Sequence, residues 1–150
     1  MTRILIIWLA AAFTSVAAQA EPVPFDRTWK EQGFLRLFSN DYRLQGRSLG
    51  VVSDGTVSVI WRPVDAALNT AQGASWRWQV AEGVPPTDLT KKGGDDRNLA
   101  LYFVFVDAET AAQLTRTSAR KLLRDRNTKA LVYVWGGAHQ QGAVLPSPYH

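Results

Sequence analysis

The 150-residue chain contains no cysteine, so it can form no disulfide bond and cannot carry a lipid on a thiol. Only two histidines are present, His139 and His150, and a zinc site would therefore need unusual ligands. The sequence has no Gly-x-Ser-x-Gly nucleophile elbow and no glycine-rich phosphate loop ending in Lys-Ser/Thr. These absences remove the commonest sequence signals of metallohydrolases, serine hydrolases and nucleotide-binding enzymes.

Residues 1–20 have the pattern of a secretory signal peptide. Arg3 gives a positive start, Ile4–Phe13 is an apolar core, and Ala18-Gln19-Ala20 fits a small-x-small cleavage site. The apolar core is too short for a membrane anchor and no charged stop follows it. We therefore expect a periplasmic or secreted protein whose mature chain begins at Glu21 and does not span the membrane. Without disulfides, such a domain is held together by packing alone.

The charge balance is mildly basic, with 17 Lys and Arg residues against 13 Asp and Glu residues. Removal of Arg3 with the signal peptide leaves a net charge of +3, which does not support nucleic-acid binding. A solvated face is the simplest interpretation of the local cluster of bases between two apolar runs, and a docking patch for anionic envelope polymers is the alternative. The cluster consists of Arg116, Arg120, Lys121, Arg124, Arg126 and Lys129.

Two apolar runs predict the central strands of the domain. Leu99–Val106 does not alternate, which is typical of a strand buried on both faces, and Ala130–Trp135 is a second such strand that ends at Gly136-Gly137. Between them, Asp107 is a plausible N-cap for a helix over about 108–123.

The remaining strand signals lie in the first half of the mature chain. Leu49–Ser53 and Thr56–Trp61 flank Asp54-Gly55, which predicts a tight hairpin. Phe34–Phe38 and Tyr42–Gln45 are weaker candidates. We expect a mainly β fold, a single β-sandwich over residues 21–150 with one helical insertion.

Ser75–Val80 alternates strictly, so a strand there would place Trp76 and Trp78 on one face. Two tryptophans on one face are usually core residues, because each has a large apolar area to bury. The functional alternative is a platform on which sugar rings stack.

The Trp-x-Trp block at 76–78 and Gly94-Asp95-Asp96 ahead of the apolar strand, with Ser147-Pro148-Tyr149 near the end, resemble the bacterial domain-of-unknown-function family 3047. The resemblance implies a secreted β-sandwich similar to jelly-roll or galactose-binding-like modules, by analogy only. Two departures stand out. Members usually place an arginine further into the strand than Arg97, and they continue beyond the Ser-Pro-Tyr block, so the resemblance implies a member incomplete at its C-terminus.

The candidate site is the end of a long loop, residues 81–96, because loops of this length are often functional. It delivers Asp95, Asp96 and Arg97 onto the apolar strand, and Asp88 lies just upstream. We predict that these four residues bind a ligand. Calcium is compatible with Asp88, Asp95, Asp96 and Asn98 as oxygen donors. The structural alternative is a turn in which one aspartate caps backbone amides and the other pairs with Arg97.

Three functions follow from these observations. The first is a non-catalytic ligand-binding protein. Its ligand is unknown, and a polysaccharide is the first candidate. The second is a glycoside hydrolase, although Asp95 and Asp96 would point to opposite faces of an extended chain, so that Asp88 or Glu82 would have to complete the carboxylate pair. The third is an envelope interaction module that uses the basic cluster.

Overall fold

The computed structural model describes residues 21–34, 37–94 and 96–148. The predicted signal peptide and Asp95 therefore lie outside the described residues. The fold is mainly β, and the helices are short. The strands are β1 Lys30–Gly33, β2 Asp41–Leu44, β3 Leu49–Val52, β4 Ser58–Trp61, β5 Leu99–Phe105 and β6 Lys129–Trp135. The helices are α1 Ala108–Ala112 and α2 Ala119–Leu122, with 3-10 turns at Ala66–Thr70 and Leu114–Arg116.

The first four strands form two nested antiparallel ladders. β2 pairs with β3, and β1 pairs with β4 outside them, so that Gly33 lies opposite Ser58. The predicted hairpin at Asp54-Gly55 is wrong in its pairing, because β3 and β4 each pair with an earlier strand. The chain does turn there, since Gly55 has a φ of +60°.

A polar cluster around Asn40 connects the two nested ladders. The side-chain oxygen of Asn40 accepts a hydrogen bond of 2.7 Å from the Thr56 hydroxyl, and the backbone N–H of Asn40 donates to the Ser58 hydroxyl at 3.0 Å. The Tyr42 hydroxyl donates to the Ser58 carbonyl at 2.8 Å. These bonds satisfy backbone groups at the positions where the two ladders end.

The two predicted apolar strands are confirmed as β5 and β6. They pair antiparallel over seven positions, from Leu99 opposite Trp135 to Phe105 opposite Lys129. The expectation that both strands are buried on both faces is wrong, because Phe105 in β5 and Leu131 in β6 are each 55% exposed. In the described part of the chain this sheet has only two strands, so neither strand has a second neighbour to cover it.

The insertion between β5 and β6 is helical but not one continuous helix. The Asp107 cap is confirmed, since its carboxylate accepts a hydrogen bond of 2.7 Å from the backbone N–H of Thr110. The helix stops at Ala112, and a second N-cap at Ser118 starts α2. α2 carries Ala119 and Leu122, the most buried apolar side chains of the described residues.

Two other strand predictions fail. The first strand is Lys30–Gly33 and not 34–38, of which residues 35 and 36 lie outside the described residues. Residues 75–80 belong to neither a helix nor a strand. The candidate at 42–45 is confirmed as β2. Among the described residues, no helix is both long and apolar enough to cross a membrane.

Candidate ligand-binding rim and aromatic face

The long loop is anchored to the turn that follows β6. The backbone N–H of Asn98 donates to the Trp135 carbonyl at 3.2 Å, and that of Ala138 donates to the Thr87 carbonyl at 2.8 Å. The Asn98 side chain accepts a hydrogen bond of 2.7 Å from the N–H of Val84. We call residues 87–94 and 96–98 together with 136–139 the rim. These bonds fix the rim to the end of the β5–β6 ladder.

Two glycines of the rim lie too close to neighbouring atoms to carry a side chain. A Cβ atom on Gly137 would lie 2.5 Å from a methyl group of Leu89, and the φ of Gly137 is +85°. A Cβ on Gly94 would lie 2.5 Å from the backbone oxygen of Asp88. The Gly136-Gly137 pair therefore does more than end β6, because it allows the loop to pack against the turn.

Asp88 has a structural role in the rim. One of its carboxylate oxygens accepts hydrogen bonds from the N–H and the hydroxyl of Thr90, at 3.1 and 2.6 Å, and the other lies 3.2 Å from the Lys91 ammonium. The hydrogen bonds from Thr90 and then the contact with Lys91 hold the pKa of Asp88 well below its usual range. Asp88, for which the sequence predicted ligand binding, is thus engaged within its own turn, whereas the capping alternative concerned Asp95 and Asp96.

His139 is a rim residue that the sequence analysis did not select. Its Nε2 atom is buried and lies 3.2 Å from Oδ1 of Asp88, although the geometry is not that of a hydrogen bond. The contact becomes an ion pair when the imidazole is protonated. The sequence signal that points to this position is the glycine pair before it, which turns the chain back toward the loop.

Asp96 and Arg97, the other two predicted site residues that the structure describes, have different environments. The Asp96 side chain is exposed, and no described residue donates a hydrogen bond to its carboxylate, while its backbone oxygen accepts from the Thr87 hydroxyl at 3.0 Å. Arg97 is half-buried and donates to the Tyr102 hydroxyl at 2.7 Å. Among the described residues of the rim, Asp96 therefore has a carboxylate that is open to a ligand.

Aromatic side chains cover one face of the β5–β6 ladder next to the rim. Trp76 lies over Tyr133 with ring centroids 4.7 Å apart, and over Phe103 at 5.8 Å. The ring of Trp78 meets that of Trp135 edge-on, with centroids 5.8 Å apart. Trp76 and Trp78 also contact each other. We call these five residues the aromatic face. Tyr133 and Trp135 share this face because alternate residues of a strand point the same way.

The expectation of mostly buried tryptophans is only half correct. Trp76 and Trp78 do contact the apolar strands, but Trp76 remains 39% exposed, Trp135 41% and Tyr133 45%. A segment without ladder partners covers the sheet less completely than a paired strand would.

A metal site finds no support in this geometry. Within residues 21–34, 37–94 and 96–148, no three His, Cys, Asp or Glu side chains lie close enough together to hold an ion. Calcium at the rim stays a prediction that depends on Asp95.

The comparison with protein families agrees with the motifs described above. Residues 27–150 match the model of a family described as "Protein of unknown function (DUF3047)". The chain belongs to the DUF3047 family. No curated protein and no solved structure matches the chain. The functional argument for this DUF3047 member therefore depends on its own rim and aromatic face.

Proposed function

We propose that this DUF3047 protein is exported and binds a saccharide, without catalysis, on the aromatic face and the adjoining rim. The observation that carries the proposal is the partial exposure of Trp76, Tyr133 and Trp135 within one cluster of rings. Contiguous exposed apolar surface in a folded domain usually marks a binding site. Aromatic residues are typical of such sites because one side chain offers a large, rigid contact area.

Saccharide chemistry suits the neighbouring groups. The C–H faces of a sugar ring stack on aromatic rings, and its hydroxyls need hydrogen-bond acceptors close by. The open carboxylate of Asp96 supplies such an acceptor on the rim, and Asn98 bonds the rim to the backbone of Trp135. Asp88 is a poor catalytic acid, because its lowered pKa keeps it ionised at neutral pH.

We further propose that the three ladders belong to a β-sandwich of jelly-roll or galactose-binding-like type. Its support is the apolar character of β5 and β6 on both sides, which favours a second layer over the surface opposite the aromatic face. Val104 and Val132 occupy that opposite surface and remain partly exposed.

The test is a glycan array screened with the mature protein, followed by affinity measurements on the best glycan. We expect Trp135→Ala and Asp96→Asn each to weaken binding at least tenfold while the far-ultraviolet circular dichroism spectrum stays unchanged. Trp29→Ala is the matched control, because Trp29 stacks on Phe25 and has no ring contact with the five residues of the aromatic face. No glycan bound, or equal losses in all three variants, would contradict the proposal.

A further inference from the structure

The positive charge of the protein is concentrated in the insertion between β5 and β6. Residues 107–129 contain six bases and three acids, whereas the rest of the chain after residue 20 has ten of each. The whole net charge of the mature protein therefore resides in these 23 residues. The bases are Arg116, Arg120, Lys121, Arg124, Arg126 and Lys129.

These six bases are available for an outside partner. All of them are exposed, and none forms an ion pair with another residue in the described part of the chain. By contrast, Arg43, Arg62 and Lys91 each lie within 4.0 Å of an aspartate carboxylate. Local folding therefore pairs several bases outside the insertion with carboxylates, whereas the six bases of the insertion form no ion pair in the described part of the chain.

Two of these bases border an apolar groove. The groove has a volume of about 240 Å³ and lies where α2 faces the β1–β4 ladder. Arg120 of α2 and Arg124 of the turn that follows α2 both line this groove. The apolar lining consists of Phe34, Val59, Ala119 and Leu123.

We propose that this groove binds a single-chain anionic amphiphile. Its phosphate or carboxylate head would pair with Arg120 and Arg124, since guanidinium groups bind such oxyanions through paired N–H donors. Its alkyl chain would lie along Phe34, Val59 and Leu123. The volume is below the range of sites for drug-sized ligands, which favours one alkyl chain over two. This site is separate from the aromatic face and does not depend on saccharide binding.

The test is isothermal titration calorimetry of the mature protein with decyl phosphate below its micelle concentration. We expect saturable binding with one ligand per chain. The double variant Arg120→Gln/Arg124→Gln should weaken binding at least tenfold. The matched control is Arg126→Gln/Lys129→Gln, which removes the same charge from the same insertion but leaves the groove lining intact. It should change affinity less than threefold.

Two further ligands test the contributions of the anionic head group and the alkyl chain separately. Inorganic phosphate and decanol, which each lack one half of the amphiphile, should both bind at least tenfold more weakly than decyl phosphate. Equal losses in the two double variants would overturn the proposal in favour of diffuse charge attraction. Capture by phosphatidylglycerol vesicles without binding of monomeric decyl phosphate would overturn it in favour of a membrane surface. Circular dichroism and melting curves verify that each variant is folded.

Discussion

Asp88 and His139 meet at 3.2 Å where the long loop docks against the turn after β6. Because His139 follows β6 directly through Gly136-Gly137, this contact ties the loop to the end of the strand. The same carboxylate also organises its own turn through Thr90 and Lys91. Asp88 therefore organises its own turn and also lies at the contact between the loop and the turn after β6.

The first prediction concerns acid stability. Since hydrogen bonds from Thr90 lower the pKa of Asp88 in the folded state, its stabilisation is complete above the unfolded value near 3.8. It is lost as the pH falls below that value toward the lower folded pKa. We expect the melting temperature to drop on acidification and the Asp88→Asn variant to show a shallower drop. Asp54→Asn, at an exposed turn, is the control, and the same shallow drop in both variants would refute this role of Asp88.

The second prediction concerns the packing of the rim. Gly137→Ala combines a positive φ with a Cβ 2.5 Å from Leu89, whereas Gly142→Ala has a similar φ of +82° and no atom within 4 Å. We expect Gly142→Ala to lower the free energy of unfolding by about 1–2 kcal/mol through backbone strain. Gly137→Ala should cost roughly 1–3 kcal/mol more, because overpacking adds to the strain. Urea denaturation measures both, and equal losses would show that Leu89 moves aside freely.

Sequence patterns predicted the strands that depend on local composition. β5 and β6 follow from their long apolar runs, and the Asp107 cap follows from its position before the helix. The pairing at Asp54-Gly55 was wrong because a turn signal fixes where the chain bends but not which strands pair. The predicted single helix ended at Ala112, and Ser118 supplies a separate cap from which α2 begins.

The candidate site was predictable only in part. The sequence selected the loop as a candidate, yet Asp88 and Asp96 have similar local sequence signals and opposite environments in the fold. Which carboxylate is engaged depends on Thr90 and Lys91 and on the docking of His139, and that docking is a tertiary contact. Partial exposure of the tryptophans was also unpredictable, because alternation gives the face of a segment but not what covers it.

The third prediction separates packing from binding on the aromatic face. Trp78 is less exposed than Trp76 and contacts both Trp76 and Trp135. Because Trp78 is only partly buried, Trp78→Ala should cost roughly 2–3 kcal/mol, below the value for a fully buried tryptophan. Trp76→Ala should lower the stability less than Trp78→Ala does, and it should weaken saccharide binding more. Chemical denaturation and glycan binding measured on both variants give the comparison, and the reverse order would assign Trp76 to the core.

The fourth prediction concerns export. Residues 1–20, fused to a reporter that is active only outside the cytoplasm, should direct its secretion. N-terminal sequencing of the exported protein should give Glu21 as the first residue. A variant with Leu5→Arg and Leu9→Arg interrupts the apolar core and is the control that should abolish export. Recovery of a membrane-embedded product that retains Met1 would refute cleavage and favour an anchor.

The fifth prediction follows from the open edges of the β5–β6 sheet. In the described part of the chain β6 pairs only with β5, and Val132 at the middle of β6 is 44% exposed. An apolar strand with unpaired backbone groups is a template for pairing with another chain. We therefore expect sedimentation velocity to show self-association of the mature protein that increases with concentration, and Val132→Lys to reduce it. Val144→Lys adds the same charge at a position that is 97% exposed and outside any strand, so it should have little effect. A monomer at all concentrations, or equal effects of the two lysines, would show that this edge is already protected.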